Sequence, residues 1–271
     1  MRQRKAKDLE KRLALCKDII LEDVNPETWK SAFAQEGDLY VEIGCGKGQF
    51  IIKKALKDPG SNFIGIEGQE TVILRAAEKA RAVSGKAQWP ENVPGEEKLL
   101  GVTGELDNLK FACCFVNSMK DFFTENQLAG VYLNFSDPWP KERHAKRRLT
   151  HHIRLMDYAW AVKDGGFIEF KTDNDDLFEF SVEEFRLCEK ANWEPSAEDE
   201  RVSGGSRDSR SLPEIHGSNS GTRLKVTELT RDLHAEDCTY ESACVTTEYE
   251  DKFSGRGKNI NYIKAIVNKN R

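Results

Sequence analysis

Apolar residues come in short runs separated by segments of helical period. Runs near residues 39–43, 62–66, 111–116, 129–135 and 167–171 are rich in Val, Ile, Leu and Phe, as expected of strands buried on both faces. Between the first two lies Gln49-Phe50-Ile51-Ile52-Lys53-Lys54-Ala55-Leu56-Lys57, with apolar positions at helical spacing, and a second helix is expected over 150–162. Asp164-Gly165-Gly166 is expected to close that helix and turn into the fifth strand. A final alternating stretch at 259–267 predicts one more strand. Strands alternating with helices predict an α/β fold built on a doubly wound sheet.

Two segments interrupt the rhythm, at 84–110 and at 194–244. The second contains Ser203-Gly204-Gly205-Ser206-Arg207-Asp208-Ser209, too polar to bury enough surface to order itself, and is expected to be a flexible surface loop. The chain therefore reads as a single domain over 1–271, with an N-terminal extension to about 37 and two insert loops. Length is ample for a full core.

Chemistry enters at the end of the first strand. Val41-Glu42-Ile43-Gly44-Cys45-Gly46-Lys47-Gly48 is a strand running into a turn with glycine at three alternate positions, where a ligand can approach the backbone. No hydroxyl residue follows Lys47, which excludes a P-loop. A nicotinamide site prefers G-x-G-x-x-G, whereas this loop is G-x-G-x-G behind an acid, Glu42. That acid repels a pyrophosphate but suits the ammonium and sulfonium of S-adenosylmethionine. The second strand ends at Glu67, where doubly wound folds bind ribose hydroxyls.

The second motif is one block, Asn134-Phe135-Ser136-Asp137-Pro138-Trp139-Pro140-Lys141-Glu142-Arg143-His144-Ala145-Lys146-Arg147-Arg148-Leu149. It joins a carboxylate between rigid residues to five cations within eight positions. Net charge is −5, but contact with phosphates needs only one basic face, and 1–7 adds four more cations. Lys17 and Asp18 interrupt the apolar stretch near the start, so no signal peptide is expected there, and no run reaches the length of a membrane span. The seven cysteines form no C-x-x-C pair and read as buried free thiols, with Cys45 a small filler of the loop.

Together these residues resemble the tRNA (guanine-N7)-methyltransferase family, bacterial single-chain type. The resemblance is carried by 41–48, Gly65-Ile66-Glu67, 134–149, Phe170-Lys171-Thr172-Asp173-Asn174 and Thr247-Glu248-Tyr249-Glu250 with Phe253 after it. It implies the class I methyltransferase fold, Rossmann-like, with a seven-stranded, mostly parallel sheet and an antiparallel last strand. It also implies methyl transfer from S-adenosylmethionine to guanine N7 at position 46 of the tRNA variable loop, while a cytoplasmic protein without a metal is the expectation from the missing signal peptide, membrane span and C-x-x-C pair. Cofactor contacts would be Glu42 at the methionine end, Gly44, Gly46, Glu67 at the ribose, Asn117 at the adenine, and Asp137. Substrate positions would be Lys141, Asp173, Thr247, Glu248, Tyr249 and Glu250, with Arg143, His144, Ala145, Lys146, Arg147 and Arg148 on the RNA. Asn117 departs from the family's usual Asp-Ala, and its register hangs on the insert before it.

Guanine N7 carries a lone pair and no proton, so its methylation requires no general base. The enzyme has to align the reacting atoms and shelter the charge that grows on the purine. Asp137 suits that task as the catalytic residue, because one carboxylate accepts both N1–H and N2–H of guanine. Trp139 is expected to brace the loop. Three other readings stay open: a nicotinamide oxidoreductase, a catalytically idle tRNA-binding protein, and a methyltransferase acting on another RNA or on protein. Monomer and homodimer are both compatible with the sequence.

Overall fold

The computed structural model describes residues 6–87, 104–190, 221–254 and 257–269. Its strands are β1 (Ile20–Leu21), β2 (Leu39–Ile43), β3 (Asn62–Ile66), β4 (Leu109–Ala112), β5 (Leu128–Asn134), β6 (Val162–Thr172), β7 (Thr222–Thr230) and β8 (Asn261–Lys269). Its α-helices are α1 (Leu9–Ala14), α2 (Pro26–Ala32), α3 (Gln49–Lys57), α4 (Glu70–Val83), α5 (His152–Ala161), α6 (Asp175–Glu189) and α7 (Glu248–Ser254). The described strands form one eight-stranded sheet in the order β1-β4-β3-β2-β5-β6-β8-β7. Pairing is parallel from β1 across to β6, and β8 lies antiparallel to both β6 and β7.

Alternation along the strands separates two faces. Val41 and Ile43, Val131 and Leu133, Ile168 and Phe170 point into a core shared with Leu155, Met156 and Ala159 of α5 and Phe178, Val182 and Phe185 of α6. On the far side, Phe63 and Phe111 pack with Ile51 and Ile52 of α3, Ile73, Leu74 and Ala76 of α4, and Leu9 of α1. Sheet strands covered on both sides must be apolar throughout, which is why 39–43, 62–66 and 129–134 read as continuous runs. Local signals fix several helix starts. Asn25 and Thr28 make a capping box at α2 with Pro26 in the first turn, and Asn174 caps α6 by accepting from the Leu177 N–H at 2.8 Å.

Four expectations change. The sheet has eight described strands rather than seven, the addition being the two-residue β1 beside Phe111 and Ala112. An unexpected strand, β7, lies inside the stretch read as the second insert and pairs antiparallel with β8. It is an edge strand with only Leu224 fully buried, so burial imposed little apolar patterning on it. Residues 203–209 lie outside the described residues. The third strand stops at Ala112, where pairing with Ile66 ends, leaving Cys113 exposed and Phe115 out on the surface. Finally, β6 starts directly after α5, because Val162 pairs with Leu128, and Gly165 at φ 75° lies in a bulge before Phe167 pairs with Gly130. The glycine pair bends a strand instead of capping a helix. The seven cysteines are free thiols, of which Cys16, Cys45 and Cys188 are buried while Cys113 and Cys244 are exposed. Among the described residues, no helix is long and apolar enough to cross a membrane.

Candidate active site

The parallel strands β2, β3, β5 and β6 end along one edge of the sheet, and the loops leaving that edge carry most of the residues singled out from sequence. The glycine loop turns at Gly44, Gly46 and Gly48, with φ of 77°, 57° and 75°. The three serve different ends. A Cβ at Gly44 or Gly46 would meet nothing within 4 Å, so the backbone there borders open space. At Gly48 it would come within 2.8 Å of the Ala76 methyl, so that glycine lets α3 pack on α4. The loop is pinned by Ile66, whose carbonyl accepts from the Gly44 N–H at 2.8 Å and the Cys45 N–H at 3.0 Å. Burial pushes the Cys45 thiol up, which keeps it protonated and suits a filler rather than a nucleophile.

Glu42 sits almost fully buried under this loop. Its Oε1 accepts from the Asn134 amide at 2.7 Å, while Oε2 is buried with no hydrogen-bond partner. Burial drives its carboxyl up to about 8, tempered first by Asn134 and then by the nearby Lys171 cation. Glu67 follows β3 and accepts from the Gln69 N–H at 3.0 Å and the Gly46 N–H at 3.3 Å. Its carboxyl is also raised, chiefly by burial and in small part by Asp137 across the cleft. Asn117 stands just before the Ser118 cap of a 3-10 turn and leaves its buried Oδ1 without a partner. An orphaned carboxylate oxygen, an orphaned amide oxygen and an uncovered glycine backbone fit a ligand with a cationic end and an amino-bearing base.

The loop after β5 carries Asp137, exposed, between two residues at positive φ, Phe135 at 51° and Trp139 at 42°. Such backbone is costly for aromatic residues and persists only where neighbours hold it. Here the neighbours are visible. The Phe135 N–H donates to the Lys171 carbonyl at 2.9 Å and its ring lies 4.9 Å from that of Tyr249. Arg148 donates to the carbonyls of Pro138 and Trp139, both at 3.1 Å, and stacks 4.2 Å from the Phe180 ring. Arg147 sits 5.0 Å over the Trp139 ring, and His144 meets that ring edge-on. The cationic block is thus a 3-10 turn, Glu142–Arg147, whose last members brace the Asp137 loop while Lys141 and Arg143 are exposed. Burial and the cations Arg147, Arg143 and Lys141 hold His144 below the usual imidazole range.

Residues 246–251 strap across the same edge. Thr247 and Glu250 form a capping box at α7, with Glu250 N–H to Thr247 Oγ1 at 2.9 Å and Thr247 N–H to Glu250 Oε2 at 3.1 Å. Glu250 is fully buried and takes the Lys171 ammonium at 3.3 Å and His234 Nε2 at 2.8 Å. Glu248 pairs with Lys79 of α4 and with Lys47 of the glycine loop at 3.3 Å. Tyr249 alone of the four is exposed, and its hydroxyl donates to Asp173 at 3.1 Å, which Lys258 also grips. The structure therefore brings Glu42, Glu67 and Asp137 together, sets Asp173 beside Tyr249, and turns Glu248 and Glu250 inward. Sequence reasoning quoted Lys47 and Asn134 within its motifs without giving them a role, and overlooked Lys79 and His234 as parts of this edge. A lysine among the alanines of α4 was the only local sign of such a role for Lys79.

Comparison with known proteins reaches the same place. A family model described as "Putative methyltransferase" matches residues 36–206. The chain is 36% identical to a tRNA (guanine-N(7)-)-methyltransferase of Leuconostoc citreum over 237 residues, covering 88% of this chain and 84% of the relative. The namesake of Latilactobacillus sakei is 35% identical over 92% of this chain and 91% of its own, and that of Mesoplasma florum 38% over 85% and 81%. With the sheet order, the glycine loop and the Asp137 block in place, these matches establish that the chain belongs to the tRNA (guanine-N7)-methyltransferase family.

Proposed function

We propose that this protein methylates N7 of a guanine in tRNA, at position 46 of the variable loop, with S-adenosylmethionine as methyl donor. The observation that carries the reading is the convergence of three acids, Glu42, Glu67 and Asp137, around a glycine loop open to ligand, beside a cationic turn. Bound there, S-adenosylmethionine supplies a methyl group on a positively charged sulfur.

The chain's own residues do the rest. Glu42 offers its unpaired oxygen to the ammonium, Glu67 its carboxylate to the ribose hydroxyls, and Asn117 its amide oxygen to the adenine amine. Gly44 and Gly46 keep the backbone bare enough for close approach. Asp137 accepts from the Watson-Crick edge of guanine and stabilises positive charge on the ring as N7 attacks. Asp173, with Tyr249 beside it, orients the base, Lys141, the exposed Arg143 and Lys146 meet phosphates, and His144 and Ala145 lie in the same RNA-facing turn. Thr247, Glu248 and Glu250 support the substrate site through the strap they form. Arg147 and Arg148 contribute by holding the Asp137 loop against the RNA.

The test is transfer from labelled S-adenosylmethionine to unmodified tRNA, with the product mapped by chemical cleavage at N7-methylguanosine. Cleavage at one variable-loop guanine is expected. Label at another position would discard the proposed site, and the absence of label from tRNA would discard the activity.

A further inference from the structure

We propose that Asn134 is a positioning residue for the methyl donor, holding the Glu42 carboxylate so that one of its oxygens stays unpaired for the ligand's ammonium. The proposal rests on the reading of Glu42 given above. The register of β2 on β5 sets Glu42 opposite Tyr132, and Asn134 is the next residue on that face, a diagonal neighbour within reach of a long side chain. The Asn134 amide NH2 donates to the Glu42 carboxyl, and the bond is 2.7 Å long between two buried side chains. The same bond ties up Oε1 and leaves Oε2 orphaned.

Among the described side chains Asn134 alone hydrogen-bonds Glu42, and the Ile51 backbone acts on the carboxyl less strongly than Asn134 does. Lys171 is directly opposite Asn134 in the β6 register, but its ammonium is committed to the carbonyls of Ser242 at 2.7 Å and Val245 at 3.1 Å and to Glu250. The remaining titratable groups facing Glu42 are Glu67, Cys45 and Tyr132, none of which donates a hydrogen bond to it. Asn134 is also the largest influence opposing the effect of burial on the Glu42 carboxyl. Its loss would both free the carboxylate to rotate and keep it protonated to higher pH.

The experiment is calorimetric titration, from pH 6 to 9, of the wild type and of Asn134→Leu, Asn134→Asp and Glu42→Gln. Two probes are used: S-adenosylhomocysteine, which keeps the amino-acid end, and 5′-methylthioadenosine, which lacks it. Asn134→Leu should weaken S-adenosylhomocysteine at least tenfold and move the acid limb of its affinity to higher pH, while methylthioadenosine binds within twofold of wild type. Asn134→Asp should weaken it further, because two carboxyls this close cannot both ionise, and it carries the same test if the leucine variant fails to fold. Wild-type behaviour of the Asn134 variants alongside a loss in Glu42→Gln would overturn the role of Asn134 and keep that of Glu42. Equal losses for both probes would reduce Asn134 to a structural residue. Unchanged binding in Glu42→Gln would remove the underlying reading, and this proposal with it.

Discussion

Replacing Lys171 by Met tests whether the strap over the site is held by a buried ion pair. Lys171 is 1% exposed and Glu250 0%, and the ammonium reaches two carbonyls as well as the carboxylate. Burial lowers the Lys171 pKa and the adjacent carboxylates counter it, which is the balance of a charge kept inside only by its partners. Removing one member of a buried pair costs about 3–5 kcal/mol, since the other is left uncompensated. Glu250 keeps His234 Nε2 at 2.8 Å and the Thr247 N–H at 3.1 Å, so the low end applies, about 3 kcal/mol. For a chain of this size that corresponds to a fall in Tm of roughly 6–12 °C. Adding Glu250→Gln should recover about 1–3 kcal/mol, because the stranded charge is gone. Thermal and urea unfolding of both variants measure this directly. A Tm for Lys171→Met within 2 °C of wild type (about 0.5–1 kcal/mol) would refute the reasoning, and a double variant less stable than the single would show that the pair is not what holds the strap.

Other expectations follow from the same edge of the sheet. Asp137→Ala should unfold like wild type, since Asp137 is exposed, yet lose about 10²- to 10³-fold in kcat; full activity would end its assigned role. Glu42→Gln should abolish cofactor binding and stabilise the ligand-free protein in a pH-dependent way. The folded-state pKa of Glu42 is raised from 4.5 to about 8, so the wild type loses stability relative to the glutamine variant as pH rises through that window and levels off above it. A pH-independent difference in Tm would contradict this. Arg143→Ala should raise the KM for tRNA and reduce the salt slope of binding by about one, whereas Arg148→Ala should lower kcat and Tm through loss of its bonds to Pro138 and Trp139. Identical profiles for the two would mean that both act on RNA alone.

Much of this molecule is legible in its sequence because local rules and burial act together. Strands β2, β3 and β5 are covered on both faces, so their apolar runs are unbroken, and the positive-φ turn at Gly44, Gly46 and Gly48 needs the glycines that mark it. The Asp137 block is contiguous, and its roles can be argued before any contact is known. The edge strand β7 stayed hidden because one face and one edge meet solvent and little is demanded of its side chains. Long-range partners were equally invisible. Asn134 meets Glu42 across 92 positions, Lys171 meets Glu250 across 79, and Glu248 meets Lys79 across 169. Sequence thus determined which groups could do the chemistry. Tertiary structure alone decided that Glu248 and Glu250 face inward and that Glu42 keeps one oxygen unpaired, because burial and partner choice depend on residues brought together only when the sheet closes.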